Sequence, residues 1–308
     1  MFPILAGVVL LYLGGESLVR GSSRLAERFG IPPLIIGLTI VAFGTSSPEL
    51  LVSLSAAFKG AGDVAIGNVV GSNIFNIAFI LGVTALIRPP SVHLDLIRRE
   101  IPVLIFVSLA GFGLVLSGQV SRLAGVLLFL GLCGYLLLSL REARKQAGAG
   151  EPGAPAEPSM PVWLCAVLIV AGLGVLVWGS HLFVTGAVGV ARDFGVSEAV
   201  IGLTIVAAGT SLPELATSLV AAIKKEPDVA IGNIIGSNIF NILCILGLTA
   251  SVLPLKVVGI GVRDAGFMLA IAILLLPFAF SQRAISRAEG AIFLGLYGVY
   301  LFFLWPSS

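Results

Sequence analysis

The chain contains a second copy of itself. The segment IGLTIVAFGTSSPELLVSLSAAFKGAGDVAIGNVVGSNIFNIAFILGVTA begins at Ile36 and returns as IGLTIVAAGTSLPELATSLVAAIKKEPDVAIGNIIGSNIFNILCILGLTA from Ile201. The offset is a constant 165 residues without a gap, and roughly two thirds of the positions are identical. The match runs back through Phe29-Gly30/Phe194-Gly195, Ala26/Ala191, Gly21/Gly186, Val19/Val184 and Gly14/Gly179. Internal repetition on this scale has to be explained before any local pattern, because both copies must adopt one structure.

The composition says where that structure lives. The 308 residues are 57% hydrophobic and 11% charged, with a mean hydropathy of +1.09, whereas soluble domains carry about 25% charged residues. A spanning helix needs about 20 mostly apolar residues. Each half offers five such stretches, near 2–26, 31–58, 64–87, 100–118 and 122–140, then 162–191, 196–223, 229–252, 262–280 and 288–305. The expected fold is an all-α polytopic membrane protein, with ten transmembrane helices as two inverted five-helix repeats. The first repeat covers 1–140, a cytoplasmic linker rich in Pro, Gly and Ala covers 141–160, and the second repeat covers 161–308. The start MFPILAGVVLLYLGG lacks the basic n-region of a signal peptide and reads as the first span. The net charge of +2 is scattered between apolar runs and points to no nucleic-acid partner. Cys133, Cys165 and Cys244 lie far apart inside apolar segments and read as reduced packing residues.

Five spans per half is an odd number, so the two copies must enter the bilayer in opposite directions. With both termini outside, the cytoplasmic side holds 13 of the 18 Lys and Arg residues: Arg20, Arg24, Arg28, Arg88, Arg98, Arg99, Arg141, Arg144, Lys145, Lys224, Lys225, Arg283 and Arg287. Lys59, Arg122, Arg192, Lys256 and Arg263 remain outside. This positive-inside bias selects the orientation with both termini extracytoplasmic.

Inverted repeats with interrupted helices are an architecture of secondary transporters, whose sites lie near the midplane. The motifs GTSSPEL (44–50) and GTSLPEL (209–215) place Glu49 and Glu214 inside apolar spans. An acid at the centre of a spanning helix costs about 2.5–3.5 kcal/mol, and neither motif contains a Lys or Arg to pair with it. Pro48 and Pro213 each remove a backbone donor, freeing the carbonyls of Gly44 and Gly209. At 3.6-residue spacing Thr45, Glu49 and Ser53 share one helical face, as do Thr210, Glu214 and Ser218.

The next helix repeats a second motif, GNVVGSNIFN (67–76) and GNIIGSNIFN (232–241). Asn68, Ser72 and Asn76 fall at i, i+4 and i+8, as do Asn233, Ser237 and Asn241, with Asn73 and Asn238 near that edge. Gly67, Gly71, Gly232 and Gly236 suit close helix packing. The Asn and Ser side chains either cross-link helices or complete a cation shell. Two carboxylates, the amide oxygens of Asn76 and Asn241, and a few hydroxyls or carbonyls supply six or more oxygens. That is a Ca2+-type shell without sulfur or imidazole. His93 and His181 carry no metal spacing, and Asp63 and Asp228 are expected to cap their helices.

At these motifs the chain resembles the sodium/calcium exchanger branch of the cation/Ca2+ antiporter superfamily, prokaryotic type. The family's two α-repeats correspond to about 31–87 and 196–252. The resemblance implies that Glu49, Glu214, Asn76 and Asn241 bind Ca2+ centrally. It implies flanking Na+ sites from Thr45, Ser46, Ser72, Thr210, Ser211 and Ser237 with the carbonyls of Ala42 and Ala207, and alternating access by sliding of helices one and six. Some archaeal and K+-dependent members carry Asp at the position of Asn241, so this chain has two central acids where they have three. The large cytoplasmic Ca2+-sensing region of animal exchangers is absent from this sequence.

The expected function is exchange of Ca2+ for Na+, with an H+-coupled Ca2+ antiporter as the alternative. No HExxH motif and no Ser/His pair lies in the spans, so the chain does not read as an enzyme. A passive channel does not account for the inverted repeat. The expected partners are the transported ions and the lipid bilayer, without a cofactor or protein partner, in a prokaryotic plasma membrane.

Overall fold

The computed structural model describes residues 2–149, 160–195 and 207–304. Residues 150–159 of the expected linker and the start of the seventh expected span, 196–206, lie outside the described residues, while 141–149 continue the helix that begins at Arg122. Within them the chain is almost wholly helical: α1 (Phe2–Phe29), α2 (Pro33–Thr45), α3 (Ser47–Phe58), α4 (Gly62–Ile87), α5 (Leu96–Leu116), α6 (Arg122–Ala149), α7 (Val162–Asp193), α8 (Ala207–Gly209), α9 (Leu212–Ile223), α10 (Pro227–Val252), α11 (Val262–Gln282) and α12 (Arg287–Leu304). Among the described residues, eight of these are long and apolar enough to cross a membrane, and nine if α2 and α3 form one span broken at Ser46.

Leu5, Val8 and Val9 of α1, Leu127, Leu130 and Leu137 of α6, and Phe302 and Phe303 of α12 are exposed. Apolar belts of this size are disfavoured in water and neutral in lipid. The protein is an integral membrane protein.

The chain divides into two compact units, each built from both sequence halves. The first comprises Met1–Thr45 and Cys133–Asn233. In it α1 lies along α7 on a seam of glycines. A Cβ on Gly14 would sit 2.8 Å from Leu176 N, and one on Gly172 would sit 2.8 Å from Leu18 N. Only hydrogen at both positions lets the two backbones come this close. Leu11, Leu18, Val19, Ile169, Leu176, Leu212 and Val220 form the core around the seam.

The second unit comprises Ser46–Leu132 and Ile234–Ser308. There α11 packs on α5 and α12 on the end of α4. Gly82 and Gly290 allow that approach, and Tyr297 meets the Phe75–Phe79 stack. Two loop pairs are tied by short main-chain pairing, β1 (Gln119–Val120) with β2 (Leu255–Lys256), and Ser91 with Ala284.

Candidate ion-binding site

Each proline motif ends one helix and starts another. Pro48 and Pro213 occupy the first turn of α3 and α9, where a missing N–H costs nothing, whereas in a continuous helix the ring would clash with the carbonyl four residues back. The helix therefore breaks at Ser46 and at Thr210–Ser211. This corrects the expectation of one continuous face: Thr45 closes α2 while Glu49 and Ser53 lie on α3, and Thr210 lies in the turn before α9.

Glu49 and Glu214 are each 1% exposed. Thr45, Ser46, Ser72, Asn76, Ser211, Ser237, Asn241 and Ala42 are each buried too, while Thr210 is half-buried and Ala207 opens the short turn α8. Thr45, Ala42, Thr210, Ser211, Glu214 and Ala207 belong to the first unit, and Ser46, Glu49, Ser72, Asn76, Ser237 and Asn241 to the second.

The asparagines divide by job. Asn68 donates from Nδ2 to the Glu49 carbonyl at 3.0 Å and to Ser53 Oγ at 2.9 Å, tying α4 to α3. Its copy Asn233 makes the same bonds to the Glu214 carbonyl at 3.3 Å and to Ser218 Oγ at 3.0 Å. Thr45 also donates to Asn233 Oδ1 at 3.1 Å and shares its hydroxyl with the Ala42 carbonyl at 3.3 Å. These two asparagines are cross-links that fix the acid-bearing helices.

Asn76 and Asn241 are different. Among the described residues neither amide atom of Asn76 has a hydrogen-bond partner, nor do Asn241 Oδ1 and Ser237 Oγ. A buried polar group left without a partner costs about 1–3 kcal/mol, so several such oxygens around one motif call for an explanation. Both asparagines sit where the backbone widens into π-helical turns, Phe75–Leu81 and Asn241–Leu246. Such bulges recur at functional sites.

Several roles are not visible in the sequence. Ser180 on α7 donates to the Gly209 carbonyl at 2.6 Å, partnering one of the two freed carbonyls. The only sequence signal is that its repeat partner is Gly15, which has no hydroxyl. Asp63 does not cap its own helix, whose N-cap is Ala61. It accepts instead from the Val258 N–H at 2.8 Å, because the turn after β2 presents free amides to it. Gly232 does serve close packing, since a Cβ there would sit 2.8 Å from Leu34 O. A Cβ on Gly71 would have no neighbour within 4 Å.

A separate charged cavity of about 190 Å3 in the first unit is lined by Glu16, Arg20, Arg24, Glu27, Lys224 and Glu226. Lys224 Nζ pairs with Glu16 Oε1 at 2.5 Å, which holds the ammonium's pKa above its usual value. Burial raises the Glu226 carboxyl pKa above its ordinary value, opposed by a hydrogen bond from Ser23 and by Arg24, with Glu27 and Asp228 pushing upward.

The family described as sodium/calcium exchanger protein matches residues 2–141 and 164–305. The chain belongs to the sodium/calcium exchanger family. Members of this exchanger family are membrane transporters, and the chain is a cation/Ca2+ antiporter of that kind. It is 43% identical over 99% of its length to CaxA of Alkalimonas amylolytica, a protein named for antiport, covering 98% of that protein. It is 31% identical over 98% of its length to the sodium/calcium exchanger MaX1 of Methanosarcina acetivorans, covering 97% of it. The solved sodium-calcium exchanger NCX_Mj superposes with a TM-score of 0.82 at 34% identity, over 97% of this chain and 96% of that one.

Proposed function

We propose that this exchanger couples Ca2+ transport to Na+, and that one Ca2+ is bound by Glu49, Glu214, Asn76 and Asn241. The observation that carries the reading is the buried amide of Asn76, which has no hydrogen-bond partner on either atom among the described residues, together with Oδ1 of Asn241 in the same state. A hard divalent cation is the partner that amide oxygens and carboxylates suit best. Two glutamates neutralise Ca2+ without surplus negative charge, so no accompanying K+ is needed.

Thr45, Ser46, Ser72, Thr210, Ser211 and Ser237, with the carbonyls of Ala42 and Ala207, provide the oxygens for Na+. The fold carrying this chemistry is ten transmembrane helices in two inverted five-helix repeats, 1–140 and 161–308, joined by a cytoplasmic linker at 141–160. It works by alternating access in a prokaryotic plasma membrane, with both termini outside.

Proteoliposomes holding the purified protein test the coupling. With a Na+ gradient alone, Ca2+ uptake is expected, and collapse of the pH gradient leaves it unchanged. Uptake that follows an imposed pH gradient and ignores Na+ contradicts Na+ coupling and selects the H+-coupled alternative.

A further inference from the structure

We propose that Asn73 is a positioning residue that fixes which way Asn241 presents its amide, and so reserves position 241 for a neutral oxygen donor. This rests on the reading of Asn241 as a cation ligand.

The Asn238 carbonyl can only accept, and Asn73 Nδ2 lies 3.2 Å from it, so Asn73 presents its NH2 on that side. Asn73 Oδ1 must then face the other way, where it stands 2.9 Å from Asn241 Nδ2. Asn241 therefore donates to Asn73, and its own Oδ1 is turned away, buried and without a hydrogen-bond partner among the described residues. An amide in isolation flips freely between two assignments; here one carbonyl decides both flips.

The repeat does not reproduce this device. Asn238, the copy of Asn73, donates back to Ile234 O in its own helix at 2.7 Å. Asn76, the copy of Asn241, is held by no hydrogen bond among the described residues. One of the two ligand asparagines is oriented and the other is not, which makes the two halves inequivalent despite near-identical motifs.

The same geometry disfavours a carboxylate at 241. Its oxygen would meet Asn73 Oδ1, acceptor against acceptor. Asn73 could turn to greet it only by setting its own Oδ1 against the Asn238 carbonyl. With Asn73 removed, a carboxylate no longer meets that acceptor, and it offers oxygen in either orientation.

The test is a cycle of full-length variants, read by Ca2+ affinity of the purified protein with Ca2+ alone as the probe. Asn241→Ala is expected to lose Ca2+ binding. Asn73→Ala is expected to weaken it about tenfold, while Asn73→Ala combined with Asn241→Asp binds more tightly than either single variant. Equal weakening by Asn73→Ala in both backgrounds overturns the proposal, since a merely structural residue would act additively. Unchanged affinity in Asn241→Ala instead removes the ligand reading on which it rests. Asn73→Leu keeps the volume and carries the same comparison where the alanine variant does not fold. Failure of every Asn73 variant to fold, without recovery by Asn241→Asp, also overturns it.

Discussion

Asn233 donates to Ser218 Oγ at 3.0 Å, the bond that its copy Asn68 makes to Ser53 Oγ at 2.9 Å. The two cross-links match across the repeat, but their surroundings do not. Asn233 is fully buried and also accepts from Thr45, while Asn68 is half-buried. Removing Asn233 leaves the Thr45 and Ser218 hydroxyls buried without that partner, at about 1–3 kcal/mol. Asn233→Ala is therefore expected to lower the unfolding temperature of the purified protein more than Asn68→Ala. Equal shifts contradict the assignment.

Gly14 makes a second case for close approach. A Cβ there meets Leu176 N at 2.8 Å and Gly172 O at 2.9 Å. Gly14→Ala must push α1 off α7, and overpacking of this kind costs about 1–3 kcal/mol. Gly174→Ala on α7 has nothing within 4 Å and serves as the control. It is expected to unfold at or slightly above the parent's temperature, since Ala is the better helix former.

Glu226 sets a pH dependence outside the spans. Its folded pKa is raised above the ordinary 4.5, chiefly by burial, so the folded protein binds more protons than the unfolded chain across the window above 4.5. Stability contributed by this group is full below that window and falls as pH rises through the raised value. Glu226→Gln is expected to flatten the decline of unfolding temperature with rising pH over that window. An unchanged profile contradicts the shift.

The orientation is tested by reporters. One fused after Ser308 is expected outside and one inserted within 146–158 is expected in the cytoplasm. Reporters found in a single compartment contradict the five-plus-five inverted arrangement.

How much of this is legible in the sequence depends on range. Helices such as Gly62–Ile87 and Pro227–Val252 follow from length and hydropathy alone, and their positions agree with the expected stretches to within a few residues. The burial of the two acids follows from the same local reasoning. Periodicity fails at Thr45, because it assumes an unbroken helix through Ser46, and Pro48 starts a new one there. For Asp63 the nearest amides suggest a cap, but amides from the Val258 turn, 195 residues away, reach it instead. The Lys224–Glu16 pair joins residues far apart in the chain, and the Ser180 bond to Gly209 joins two different helices. No spacing rule reports such contacts.

Glu49 and Glu214 are proposed to bind Ca2+ in competition with Na+. Calorimetric titration of the purified protein with Ca2+, repeated in rising Na+, tests it most directly. The parent is expected to bind Ca2+ saturably and to release it to Na+. Glu49→Gln and Glu214→Gln are each expected to lose at least about 30-fold in affinity, because each removes one of the two carboxylates proposed to neutralise the ion. Parent-like Ca2+ affinity in either variant, or Ca2+ binding indifferent to Na+, would contradict the account.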